Sequence, residues 1–349
     1  MTKAFVRHEP LFRNWVKKLP DSLSAYPAED KRYHLVVSLA CPWAHRCLMT
    51  RSLKGLEDCI SVSIVHPVFA RTKPTSSTDL HAGWQFETPG NPPVANSAGF
   101  GSIDCDDVLT GKPDPVISGA IYVRDIYERH MERDDHERFT EEQLATLKYS
   151  VPILWCKKTQ KIVSNESSEI IRMLNDEFND FSKCPQVDLF PPHLLNQIES
   201  VNSWVFTDIN NGVYKCGFGK DQHSYDEAIE TLFSSLDRAE NILSKSKFLC
   251  GDTMTAADIR LFATLIRFDE VYVVYFKTNC KMIRSDYPNL LRFCSDIYHI
   301  PEIKKTVNMK HIKQHYYTSH PTLNYYAIIP KGPDFLKTLD EFKANRQSF

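Results

Sequence analysis

At residues 33–46, "YHLVVSLACPWAHR", an apolar run gives way to a helical pattern, and "ISVSIVHPV" after it alternates apolar and polar residues at period two. These segments predict a strand, a helix and a second strand. Pro42 opens the helix at a position where its missing N–H costs nothing, and Lys54 and Gly55 close it. A strand, helix, strand unit commits this part of the chain to a helix layered on a sheet.

From Pro67 to about Ser118 the chain is rich in Pro, Gly, Asn and Ser and has no sustained period, which predicts an irregular insertion. "AIYVRDIYERHMER" then reads as a helix with Ile121, Ile126, Tyr127 and Met131 on one side. The charged stretch "ERHMERDDHERFTEEQ" reads as a solvated helix or loop. "VPILWCKKTQKIV" carries a hairpin signal, and "NESSEIIRMLNDEF" opens a further helix. Strand, helix, strand, then helix, hairpin, helix is the order of a thioredoxin-like fold.

Beyond the linker "SKCPQVDLFPPH" helical periodicity dominates, with Leu194, Leu195, Ile198, Val201, Val205, Phe206 and Ile209 expected on one buried face. Thr255 and Asp258 stand at the spacing of a capping box. The expected architecture is α/β plus all-α. It comprises an N-terminal extension (1–30), a thioredoxin-like domain (31–180) with the insertion at about 67–118, an all-helical domain (193–317) and an extended C-terminal arm (318–349).

Lysine and arginine number 42 against 44 acids, a net charge of −2, and no basic tract is suited to following phosphates, so nucleic acid is not an expected partner. No stretch approaches about eighteen uncharged apolar residues, and the N-terminus has no apolar signal core, so a cytoplasmic protein without a membrane partner is expected. The ten cysteines are scattered without a C-x-x-C pair, which argues against paired disulfides and a cysteine zinc site. His311 and His315 share a helical face near His320, but no H-E-x-x-H motif accompanies them. Surface or packing roles are therefore preferred and no metal is expected.

Cys41 precedes the helix-opening proline. A free cysteine is ordinarily a small buried apolar residue. Here, between strand and helix, the N–H groups and the positive end of the helix dipole favour thiolate, which makes Cys41 a candidate nucleophile. Ala44 occupies the place of a second thiol in C-P-W-A, and Cys47 lies nearly two turns on, so the chemistry is monothiol and an external thiol must complete it. Val151 precedes Pro152. A cis bond there would turn the Val151 N–H and C=O toward an extended peptide. In "NESSE", Ser167 and adjacent N–H groups suit a carboxylate and Glu166 an ammonium, although a plain serine N-cap explains the same residues. Together the three segments match a γ-glutamyl tripeptide, glutathione, as co-substrate.

At this point the sequence resembles the glutathionyl-hydroquinone reductases, the Xi class of glutathione transferases, which are related to the Omega class. "YHLVVSLACPWAHRCLMTRSLKGLEDCISVSIVHPV", "GWQF", "VPILWCKKTQKIVSNESSEIIRMLN", "NGVYKCGF", "TAADIRLFATLIRFDEVY" and "HIKQHYYTSH" carry the resemblance, over most of residues 33 to 320. It implies that Cys41 attacks the glutathione sulfur of a glutathionyl-hydroquinone, and that a second glutathione then releases glutathione disulfide. It also implies glutathione binding by Trp84, Val151, Glu166 and Ser167. Tyr214 would be the proton donor, with Tyr272 and Tyr316, or the adjacent Tyr317, lining the site. Where the family commonly has Arg-Val-Thr, this chain has Lys148, Tyr149 and Ser150, a lysine that keeps the charge and loses the bidentate fork. A homodimer is expected on the same resemblance. An Omega-like thioltransferase or dehydroascorbate reductase uses the same cysteine and cradle, and a catalytically silent interaction module is a third reading.

Overall fold

A computed structural model describes residues 5, 7–18, 25–105, 117, 119–131, 140 and 147–347. Residues 132–139 and 141–143 of the charged run lie outside the described residues. So do residues 106–116 and 118 of the expected insertion.

The strand, helix, strand unit forms as expected. Strand β1 (Tyr33–Val37) pairs in parallel with β2 (Ser61–Ile64), and helix α1 (Pro42–Leu53) joins them. Lys54 caps α1, and Gly55 follows at φ +61, a conformation that glycine adopts without the clash a Cβ would bring. Residues 67–105 contain two-residue strands, β3 (Ala70–Arg71) and β4 (Ala82–Gly83), around a small core of Val68, Val94 and Cys105. Helix α2 spans Val123–His130. Ile126 and Tyr127 are fully buried on it, whereas Ile121 precedes the helix and is 59% exposed. The expected stripe therefore loses its first member, because Asp125 takes the N–H groups of Ile121 and Tyr122 and starts the helix after them.

The hairpin is β5 (Ile153–Cys156) and β6 (Lys161–Ser164), and α3 (Ser167–Asp176) follows it. β1 pairs antiparallel with β5, which gives a four-stranded sheet of order β2-β1-β5-β6. The N-terminal extension lies along the β6 edge: Asn14 N–H donates to Val163 and Asn165 N–H to Phe12. An exposed edge is thereby partly covered.

The helical half begins with α4 (Leu195–Trp204), which runs into a π-helical segment, Val205–Asn210, and then α5 (Gly212–Phe218). A π turn winds more residues per turn than the 3.6 assumed in the sequence reading. Phe206 consequently turns outward, 38% exposed, while Trp204, absent from the expected stripe, is buried. Helices α6 (Gln222–Leu243), α7 (Ala256–Leu265) and α8 (Pro288–Tyr298) follow in this part. At the start of α7 the buried carboxylate of Asp258 accepts from Thr255 N–H at 2.8 Å, Thr255 Oγ1 at 3.0 Å and Leu249 N–H at 2.8 Å. Burial outweighs these donors and pushes the carboxyl up to about 6. A cap of this kind contributes about 0.5–2 kcal/mol.

Helix α9 (Met309–Thr318) and the following residues to Ile329 pack with the described residues of His8–Pro185 as one compact unit. Residues 186–307 and 330–347, with Phe5 and Arg7, form the other. The segment read as an extended arm contains α10 (Phe335–Gln347), whose Phe335 and Leu339 are buried. The prolines of that tail, Pro321, Pro330 and Pro333, all precede the helix, and Asp334 caps it by accepting from Lys337 N–H.

Candidate active site

Cys41 holds the N-cap position of α1 with an extended backbone, φ −74 and ψ 120, and Pro42 follows at the first helical position. Its carbonyl accepts from His45 N–H, closing the first turn. The sulfur therefore stands at the helix end where backbone N–H groups and the positive dipole end collect. Cys41 is 9% exposed, whereas Cys47 is fully buried on the same helix. The Cys47 thiol lies against the carbonyls of Trp43 and Ser167, and burial pushes its pKa well up. Of these two thiols, Cys41 stands at the helix end and keeps slight exposure, whereas Cys47 is sealed further along the helix.

The Val151–Pro152 peptide bond is cis. The Cys41 thiol is 3.5 Å from the Val151 carbonyl oxygen and donates to it. Part of the backbone expected to face an extended peptide thus meets the sulfur. Ser150 O, one residue earlier, accepts from the Tyr127 hydroxyl at 2.9 Å. The Tyr149 ring is held edge-on by His81 and Tyr127, with the Arg124 guanidinium 5.2 Å from its centroid. Asp79 and Glu128 in turn fix Arg124. Lys148 is exposed.

At the start of α3 the N-cap is Glu166, not a serine. Its Oε1 accepts from Ser168 N–H at 2.7 Å and Ser168 Oγ at 2.6 Å. Ser167 becomes the first helical residue and is buried. The plain serine cap is overturned. One of the N–H groups expected to face a ligand carboxylate is occupied by the chain's own acid.

Trp84 follows β4 directly. Its ring stacks on His315 of α9 at 4.4 Å and meets Phe69 edge-on at 4.5 Å. His315 Nδ1 lies 2.8 Å from Pro67 O, and its ring also contacts Tyr316. One aromatic group thus gathers Trp84 and Tyr316, and it gives His315 a packing role. Burial lowers the nearby His320 to about 4. Tyr317 is buried like Tyr316. Among the described residues, no group of three or more His, Cys, Asp or Glu is disposed to hold a metal ion.

In the helical unit, Tyr214 on α5 and Tyr272 on a second π-helical segment, Phe268–Tyr272, face one another with ring centroids 6.2 Å apart. Phe276 stacks on Tyr272 at 5.4 Å and contacts Tyr214 at 5.5 Å. This close packing requires glycine at 217, where a Cβ would lie 2.2 Å from the Phe276 ring. Phe5 stacks on Tyr214, and the Arg7 guanidinium lies 4.9 Å from the Tyr214 ring centroid. Arg7 is itself anchored to Asn211 at 2.7 Å. Sequence reading missed Phe5 and Arg7, because no local pattern ties residues 5 and 7 to residue 214. The basic and aromatic character of the N-terminal stretch was the only signal available.

A family model for the glutathione S-transferase N-terminal domain matches residues 40–177, and one for the C-terminal domain matches residues 222–295. The chain is 42% identical over 334 residues to the glutathionyl-hydroquinone reductase YqjG of Escherichia coli, covering 94% of this chain and 89% of that protein. The crystal structure of the glutathione-S-transferase Xi from Phanerochaete chrysosporium aligns with a TM-score of 0.78 at 40% identity, over 95% of this chain and 98% of that one. The glutathione-bound structure of YqjG aligns with a TM-score of 0.76 at 41% identity, over 93% and 92% of the two chains. No helix among the described residues is long and apolar enough to cross a membrane. The match to both family domains and the extent of these likenesses place the chain in the glutathione S-transferase family of enzymes, among its Xi-class glutathionyl-hydroquinone reductases.

Proposed function

We propose that this enzyme reduces glutathionyl-hydroquinones with glutathione, through a mixed disulfide on Cys41. The observation that carries the reading is the position of Cys41: N-cap of α1, ahead of Pro42 and beside Val151, while Cys47 on that helix is fully buried. Relatives bearing the reductase name support the substrate class.

In the first step the Cys41 thiolate attacks the glutathione sulfur. An S–S bond forms and the C–S bond to the ring breaks. Its electron pair stays with the hydroquinone carbon, which takes up a proton. In the second step a glutathione thiolate attacks the mixed disulfide, releasing glutathione disulfide and restoring Cys41. The overall exchange converts one glutathionyl-hydroquinone and one glutathione into hydroquinone and glutathione disulfide.

Trp84, Val151, Glu166 and Ser167, with the Lys148–Ser150 segment, form the glutathione cradle in this reading. A peptide N–H docked on the Val151 carbonyl would share that oxygen with the Cys41 thiol and weaken the thiol's bond to it. Tyr214 is assigned the proton transfer to carbon, with Tyr272 and Tyr316 lining the quinone side. No metal takes part in this scheme.

The test is a pair of assays on the unmodified protein. Turnover of glutathionyl-menadiol with glutathione is expected, at a higher kcat/KM than reduction of a small glutathione mixed disulfide or of dehydroascorbate. Activity on the latter two alone would move the assignment to the Omega-like reading. The family resemblance also carries a homodimer, and the enzyme is read as acting in the cytoplasm. Light scattering should then report about twice the 40.2 kDa chain mass, and the mass of a single chain at all concentrations would remove the dimer.

A further inference from the structure

Two separate backbone segments must keep their spacing if the cradle proposed above is to hold one tripeptide: Ser150–Val151 before β5, and Glu166–Ser167 at the start of α3. They flank the β5–β6 hairpin at its open end, where Leu154 pairs with Ser164. Beyond the strand ladder, the Tyr127 side chain bridges them.

The Tyr127 hydroxyl donates to Ser150 O at 2.9 Å and accepts from Asn165 Nδ2 at 3.0 Å. Ser150 immediately precedes Val151, and Asn165 immediately precedes Glu166. Asn165 is fixed again from the other side: its Oδ1 accepts from Phe12 N–H at 3.2 Å, and its own N–H donates to Phe12 O at 3.0 Å. The Tyr127 ring is fully buried and clamped edge-on by Phe12 and Tyr149. The hydroxyl therefore has no freedom to seek other partners, and its donor and one acceptor site are both used.

We propose that Tyr127 is a positioning residue for glutathione, its hydroxyl setting the distance between the Val151 backbone and the α3 N-terminus without touching substrate. The proposal rests on the glutathione reading of these two segments. Its physical basis is that the part-buried Ser150 carbonyl and the buried Asn165 amide, deprived of their shared partner, shift to find another. Here Ser150 belongs to the cradle and adjoins Val151, and Asn165 adjoins Glu166, so the shift moves the cradle itself. Affinity for a ligand held at both ends responds to displacements of well under an ångström.

The experiment measures binding of S-methylglutathione by calorimetry, which does not depend on turnover. Tyr127→Phe keeps the ring and removes both hydrogen bonds, and is expected to weaken binding about tenfold. Tyr33→Phe is the control for a merely structural loss, since Tyr33 is equally buried and donates to Pro27 O at 2.7 Å away from both segments. It should change affinity by less than about twofold. Asn165→Asp, which retains the acceptor for Phe12 N–H but cannot donate to the phenol, should weaken binding in the same direction and decides the matter if Tyr127→Phe does not fold. In steady state the glutathione KM should rise while kcat at saturation stays within about threefold. Unchanged affinity in folded Tyr127→Phe, or in Asn165→Asp where that variant decides, overturns the proposal, as does an equal loss in Tyr33→Phe. Failure of the unmodified protein to bind S-methylglutathione would instead overturn the glutathione reading itself.

Discussion

Replacing Cys41 with serine is expected to abolish reduction of glutathionyl-menadiol, by on the order of a thousandfold or more, while the protein stays folded. The size of the effect follows from chemistry. A hydroxyl is a weak nucleophile toward sulfur and cannot form a disulfide, so the first covalent intermediate is lost rather than slowed. No other thiol on α1 substitutes, since Cys47 is fully buried with its pKa pushed well up. The fold should tolerate the change: the N-cap position accepts serine well, and the sulfur's hydrogen bond to Val151 O is one a hydroxyl also makes. Circular dichroism and S-methylglutathione binding report whether fold and cradle survive. Turnover near that of the unmodified protein would sink the mechanism. A shift toward glutathione conjugation would leave the cradle supported, because an alcohol can hydrogen-bond a bound glutathione thiolate without reacting with it.

What sequence could reveal of this site was set by how local each feature is. The Cys41–Pro42 helix start, the hairpin and the Thr255–Asp258 box each lie within a few residues, so period and capping chemistry sufficed. Phe206 was misplaced because a 3.6-residue period was extended through a segment that winds as a π-helix. α10 was missed because Pro321, Pro330 and Pro333 coloured the reading of a tail whose cap, Asp334, comes only after them. The serine cap failed for a different reason. Glu166 and Ser167 are adjacent candidates, and only the backbone angles select which one stands outside the helix. Contacts such as Tyr127 to Ser150 and Asn165, or Arg7 to Tyr214, span tens to hundreds of residues. Periodicity records that a ring is buried, but not where its hydroxyl ends.

The helical unit holds the second large expected effect. Removing the Tyr214 hydroxyl by substitution with phenylalanine should lower turnover of glutathionyl-menadiol on the order of a hundredfold, the scale of lost general acid catalysis. The ring itself is held by Phe218 and Phe276, so phenylalanine should pack in the same place and the neighbouring Tyr272 should not move. Reduction of a small glutathione mixed disulfide by the same variant should change by less than about threefold, since its leaving thiolate needs no proton in the transition state. In the proposed mechanism both reactions begin with Cys41 at a glutathione sulfur, and they differ only in whether carbon or sulfur departs. The ratio of the two losses therefore isolates proton transfer from binding. Equal losses on both substrates would make Tyr214 a packing or glutathione-binding residue, and the proton would have to come from elsewhere.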